Sequence, residues 1–309
     1  MMNAPWHMSV EQIAEHAGRH SSDASGIDPG TPIDVTRPFV CPSLTPLFYT
    51  TIWNELSPSD QLRHSQLSAL SFNELIAWFE GGFTTTLRAL LHCDRVPSPV
   101  RELLPRFIED ESRHQRMWWS LNRLADPKRY QSDTMAITRI APMARVLMTW
   151  LAGQPMRFPV AVWVMLVLEE HANEIARRCA SQRPSEIEPH FAAAYLAHVR
   201  DETRHVQIDW HIVDALWPMM NARKQRFNGW LFGQVIKRLL LRTENAAMSV
   251  ATALAQESPT VRQQLPRIRD ELRQVGLHPE YRSMMFSPQT SPITFHLMTK
   301  YPGLREAIG

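Results

Sequence analysis

From residue 58 to residue 216 apolar positions recur three and four apart, the period of helices that each bury one face. Ser57, followed by Pro58 and Asp60, reads as an N-cap with proline in the first turn and an acidic third position. The helix it opens runs to about His92, with only Gly81-Gly82 interrupting the pattern. Pro97-Ser98-Pro99 ends that helix and caps the next, which reaches about Arg123. A third apolar-periodic stretch covers Met135 to Ala152 and a fourth Pro159 to Ala180. Ser185 to Glu188 has capping-box spacing and opens a helix to Leu216, which Pro218 stops. Arg226 to Gln256 and Val261 to Val275 complete a set of about seven helices, followed by a tail containing Pro and Met. No stretch alternates with period two for long enough to build a sheet, so the class is all-α. Residues 58–309 read as one domain. Residues 1–57, punctuated by Pro5, Pro29, Pro32, Pro38, Pro42 and Pro46, read as an irregular leader wrapping the body, with a short helix near Ser9 to Ala17.

Charge interrupts the buried faces at a few places. Asp110-Glu111-Ser112-Arg113-His114 returns as Asp201-Glu202-Thr203-Arg204-His205. In each copy Glu and His are three apart, hence on one helical face and able to bind the same metal. Residues equidistant from the loop of a helical hairpin sit at one height. A turn near residue 96 puts Glu80 opposite Glu111, inside the stripe Phe72, Ile76, Glu80, Phe83, Leu87. A turn near residue 186 puts Glu169 or Glu170 opposite Glu202. Glu169 shares a phase with Val162, Leu166, Ala172 and Ala176 and is preferred; Glu170 lines up with Glu174 and Arg177 on a face that reads as solvated. His198, one turn before Glu202, adds a third imidazole.

Glu80, Glu111, His114, Glu169, His198, Glu202 and His205 thus form a candidate metal set. A lone Glu from each of two helices plus Glu-x-x-His from two others is the ligand pattern of ferritin-like di-iron and di-manganese bundles. Mixed imidazole and carboxylate ligation suits iron, manganese or zinc. Asp110 and Asp201 are placed to reach across to a ligand histidine N–H, Arg113 and Arg204 to hold those aspartates, and Asp209 to orient a further ligand.

Composition narrows the rest. A formal net charge of +2 with scattered basic residues gives no nucleic-acid footprint. Cys41, Cys93 and Cys179 are far apart in sequence and fit reduced thiols of a cytoplasmic protein. The N-terminus lacks a signal pattern, and the longest apolar run, Val160 to Leu168, is about half a membrane span.

With the third histidine in place the sequence resembles the p-aminobenzoate N-oxygenase family of ferritin-like di-iron enzymes. The resemblance is carried by His198, Glu202 and His205, and extends through Glu80, Asp110-Glu111, Arg113-His114 and Leu168-Glu169-Glu170. It implies two iron ions, with O2 as co-substrate, and oxidation of an amine nitrogen to hydroxylamine, nitroso or nitro, commonly in bacterial natural-product biosynthesis. The substrate is then a small-molecule amine, free or carrier-bound. No flavin or nicotinamide fingerprint is present, so electrons are expected from an external reductase or small reductant. Relatives of this kind commonly dimerise, although no heptad or apolar patch in the sequence establishes a homodimer. Two other functions use the same residues: a di-iron C–H hydroxylase or desaturase, and a ferritin-type iron-handling protein. Trp118, Trp119, Trp163, Met117, Met165 and Tyr195 read as core filling, and His171, His190 and His211 as surface histidines. Gly81-Gly82 either loosens the helix beside Glu80 or serves helix packing.

Overall fold

The computed structural model describes residues 7–19, 27–28, 30–181, 186–241, 244–301 and 304, and among these there is no β-strand. The elements are α1 (Val10–Arg19), α2 (Pro58–Leu90), α3 (Ser98–Arg101), α4 (Leu104–Ala125), α5 (Pro142–Ala152), α6 (Val160–Ser181), α7 (Pro189–Leu216), α8 (Ala222–Ile236), α9 (Glu244–Glu257), α10 (Pro259–Val275), α11 (Pro279–Met285) and α12 (Pro292–Lys300).

Two antiparallel hairpins, α2 with α4 and α6 with α7, form the centre. Asn73 Nδ2 donates to Asn122 Oδ1 at 2.8 Å while Trp118 lies beside Glu80, so α2 and α4 run in opposite directions. Their apolar stripes are sealed: Leu67, Leu70, Leu87, Phe107, Trp118, Leu121, Trp163, Leu166 and Ile212 are all buried. At roughly 1.5–3 kcal/mol for each large side chain, this burial dominates the stability of the bundle. Ser57 caps α2 as expected, its Oγ accepting from the Asp60 N–H at 3.1 Å. The leader lies on the bundle. Ser65 Oγ donates to the Val40 carbonyl at 2.6 Å, and Phe39 stacks on Phe191 with centroids 4.2 Å apart.

Four local differences from the sequence reading have physical causes. The third helix starts at Pro142 rather than Met135, because the backbone N–H groups of Ala136, Ile137 and Thr138 are drawn instead to the carboxylate of Glu74, at 2.7, 2.9 and 2.6 Å. Tyr130 Oη adds a fourth donor to Glu74 at 2.7 Å, so this fully buried carboxylate is satisfied by a loop. The stretch expected as one helix over 226–256 is two, with a π-helical turn at Lys237–Leu241 between α8 and α9. A Cβ on Gly276 would overlap the carbonyl oxygen of Leu241, so only glycine lets the end of α10 lie against that turn. The cap of α7 is Glu188, whose carboxylate accepts from the Phe191 N–H at 3.0 Å; Ser185 lies outside the described residues.

The fourth difference is the tail, which forms α11 and α12. The first free N–H groups of α12, from Ile293 and Thr294, bind the carboxylate of Glu170 at 2.6 and 3.0 Å. Glu170 is therefore buried. The solvated-face reading holds for Arg177, which is exposed and pairs at 3.0 Å with the half-buried Glu174, and fails for Glu170.

Candidate metal centre

The two hairpins bring Glu80 from α2, Glu111 and His114 from α4, Glu169 from α6, and His198, Glu202 and His205 from α7 to the middle of the bundle, all buried. Two donor groups overlap there, Glu111/His114/Glu202/His205 and Glu80/His114/His198, with the donor atoms of each within 4.8 Å of one another. His205 Nδ1 lies 3.1 Å from Glu111 Oε1 and 3.3 Å from Glu202 Oε1. His114 Nδ1 lies 3.7 Å from Glu111 Oε1 and 3.5 Å from Glu202 Oε1. His198 presents its other nitrogen: Nε2 is 3.0 Å from Glu202 Oε1 and 3.2 Å from Glu80 Oε1. Glu169 stands outside both groups and faces Asp209 and Glu202.

The repeated Asp-Glu-x-Arg-His motif explains the order of this centre. Asp201 Oδ2 lies 3.1 Å from His114 Nε2, and Asp110 Oδ2 lies 3.5 Å from His205 Nε2, so each copy holds the imidazole of the other. An Nε2–H directed at a carboxylate leaves the Nδ1 lone pair facing inward. Arg113 bridges Asp110 Oδ1 at 2.8 Å and Asp201 Oδ2 at 2.5 Å. Arg204 ion-pairs with Asp110 and, at 3.1 Å, with Asp201. Arg106 adds a contact to Asp110 Oδ1 at 3.1 Å.

The inner atoms lack hydrogen-bond partners. Both oxygens of Glu111 and Glu169, Oε2 of Glu80 and Glu202, and Nδ1 of His114 and His205 are buried and unsatisfied. Uncompensated carboxylates in a core cost several kcal/mol, roughly, unless paired, protonated or metal-bound. Protonation shows the same demand for positive charge. Burial, then Asp209 and Glu202, pushes the Glu169 carboxyl well above the usual range. Burial opposes a charged His198, yet Glu202 and Glu80 outweigh it and raise that imidazole to about 10. Burial likewise opposes an ionised Glu202, but His198 and His205 hold it well below the usual range. Seven oxygen and nitrogen donor groups of this kind fit a pair of divalent cations.

Asp209 is buried, one turn beyond His205, with neither carboxylate oxygen hydrogen-bonded. It lies near His205 and Glu169, and burial raises it well above the usual range.

A cavity of about 500 Å³ reaches the cluster, with Glu80, Glu111, Glu169, His198 and Glu202 in its wall. The remaining wall is mainly apolar, drawn from α2, α5, α6, the α8–α9 junction and the leader, and includes Phe72, Ile76, Phe79, Leu168 and Leu240. Arg139 and Arg238 also line it and are exposed, so they stand at its mouth. Three contributors escaped the sequence reading. Trp118, read as filler, donates its indole N–H to Glu80 Oε1 at 2.9 Å. Its position one turn after His114 on the same stripe is the signal that marked it. His171, read as a surface residue, and His64 are buried in the cavity wall, each with an unpartnered Nδ1. His190 is buried too, its Nδ1 2.9 Å from Glu188, whereas His211 is half-buried.

An all-α bundle whose two central hairpins converge on paired carboxylates and imidazoles has the architecture of the ferritin-like carboxylate proteins. Within that class the chain belongs to the p-aminobenzoate N-oxygenase AurF family, whose model matches residues 7–278. Membership makes it an oxygenase acting on a small molecule, and the buried Glu/His groups point to a metal site. No curated protein matches the chain. Among the described residues no helix is long and apolar enough to cross a membrane.

Proposed function

We propose that this protein is a di-iron N-oxygenase that uses O2 to oxidise the nitrogen of a small amine. Glu80, Glu111, His114, Glu169, His198, Glu202 and His205 would hold the two iron ions. The observation that carries the reading is the third imidazole, His198, wedged between Glu80 and Glu202 at the point where the cavity meets the cluster. Bound iron would supply O2 activation and oxygen transfer to nitrogen.

The chain's own residues prepare that event. The crossed aspartates fix the tautomer of His114 and His205, and Arg113 and Arg204 keep those aspartates ionised in place. Trp118 donates to the Glu80 oxygen that also meets His198, and so fixes that carboxylate at the cluster. The apolar wall excludes water and accommodates the carbon skeleton of the substrate. Among the described residues, Arg139 and Arg238 are the only ordinarily charged residues in the wall apart from the acidic cluster, so an amine directed at the carboxylates and an anionic or polar end directed at these arginines is the favoured orientation. Electrons come from an external reductant. Cytoplasmic location and a role in natural-product biosynthesis belong to the same proposal. A protein that only stored iron would have no use for an apolar chamber of about 500 Å³ against its metal site.

The test is anaerobic loading with ferrous iron, then O2 and a reductant with an arylamine. An N-hydroxy, nitroso or nitro product, identified by nitrogen-15 NMR, supports the reading. Oxygenation at carbon alone supports the hydroxylase alternative, and iron oxidation without any organic product supports iron handling.

A further inference from the structure

Two of the three cysteines, 138 positions apart in the chain, meet in space. Cys41 of the leader and Cys179 near the end of α6 are buried with their Sγ atoms 3.7 Å apart. Beside them is Tyr195, fully enclosed, whose hydroxyl has no hydrogen-bond partner. Burial, and then the nearness of Cys179 and Cys41, pushes that phenol well above its usual range. The Tyr195 ring centroid is 6.0 Å from that of Trp118. Trp118 in turn is 5.1 Å from the His198 ring and hydrogen-bonded to Glu80. A line of oxidisable side chains, Tyr195 and Trp118, therefore leads from near the thiol pair to the carboxylate–imidazole cluster. Packing alone does not require it: phenylalanine would fill the place of Tyr195 without burying an unsatisfied hydroxyl.

We infer that Cys41 and Cys179 are a redox-active dithiol, connected through Tyr195 and Trp118 to the metal centre, which delivers two electrons to oxygen reduced there when no amine occupies the cavity. The inference rests on the metal-centre reading given above. The balance is simple. Each thiol loses one proton and one electron, two S–H bonds break and one S–S bond forms. Two ferrous ions give the other two electrons and solvent gives two protons. One O2 then becomes two waters, leaving two ferric ions and one disulfide. Electron tunnelling falls steeply with distance, and aromatic rings in near contact divide the path into short hops. Val40, next to Cys41, and Ile175, one turn before Cys179, both line the cavity, so the thiol pair lies just behind the wall of the substrate's own chamber.

The experiment reads thiols rather than turnover. Protein loaded anaerobically with ferrous iron receives O2 without amine, is alkylated, and is mapped by mass spectrometry. A Cys41–Cys179 disulfide is expected, with Cys93, which contacts Met156 instead, remaining a thiol. Metal-free protein under the same O2 should keep all three thiols. Tyr195→Phe, which removes only an unpartnered hydroxyl, should bind iron normally and form the disulfide at least ten-fold more slowly. Three intact thiols after the iron has oxidised would overturn the inference while leaving the metal centre standing. Equal disulfide formation without iron, or at an unchanged rate in Tyr195→Phe, would overturn it as well. Failure to bind iron at all would remove the metal-centre reading, and the relay with it.

Discussion

Asp201 on α7 and His114 on α4 meet through Oδ2 and Nε2 at 3.1 Å, although 87 positions separate them in the chain. The counterpart contact, Asp110 to His205, runs the opposite way between the same helices. Orientation of each imidazole is thus set by the other hairpin. Asp201→Asn keeps the shape but gives up the anionic acceptor, and metal affinity is expected to fall about ten- to a hundred-fold. Competition with a chelator measures it. An unchanged affinity would show that packing alone orients His114.

His198 is the ligand candidate that separates this centre from a two-histidine one. Its neighbours Glu80 and His114 form the second donor group, while Glu111, His114, Glu202 and His205 form the first. His198→Ala should therefore lower iron from about two ions per chain toward one and alter the optical spectrum of the oxidised protein. Full iron content with an unaltered spectrum would take His198 out of the centre.

His64 titrates away from the metal cluster, and the sign of its effect is fixed. Burial lowers its folded-state pKa from 6.5 to about 4. Below pH 6.5 the unfolded chain takes up the proton first, so stability is intact at neutral pH and declines as pH falls toward 4. The loss is about 2 kcal/mol by pH 5 and about 3 in all. His64→Leu lacks this term. Urea unfolding at pH 7 and pH 5 should show the wild type losing about 2 kcal/mol more than the variant; parallel losses would refute the assignment.

Gly82 lies within an uninterrupted α2, and a Cβ there would meet nothing within 4 Å. It borders a second cavity of about 330 Å³ with Trp78, Trp119 and Met148. The helix is not loosened at this point, and Gly82→Ala should raise stability by about 0.5–1 kcal/mol in thermal or urea unfolding. A lower stability would mean that the glycine relieves a contact that appears only when the helix moves.

Much of this architecture was legible in the sequence because helices declare themselves locally. Periodicity found the long helices and Ser57 marked its own cap, while hairpin symmetry brought Glu80 to α4 about one turn off: it meets His114 and Trp118 rather than Glu111. What was not legible depends on distant partners. Nothing near residue 136 announces that Glu74 will claim its backbone N–H groups, although Pro142 already disfavoured helix at Ala141. Glu170 reads as solvated until α12 arrives, and His171 as exposed until the α8–α9 junction and the leader close the cavity over α6. The meeting of Cys41 with Cys179 is equally invisible, since the leader carries no period to place it.

Glu169 and Glu170 divide their labour: one faces the cluster and its neighbour seizes the start of α12, 123 residues further along the chain. The two roles are therefore tied in folding. Until α12 is in place, Glu170 lacks the two backbone donors that satisfy its buried carboxylate, and α6, which carries Glu169 to the cluster, lacks that anchor. A clasp made far downstream in the chain thus steadies the helix that supplies one wall of the centre.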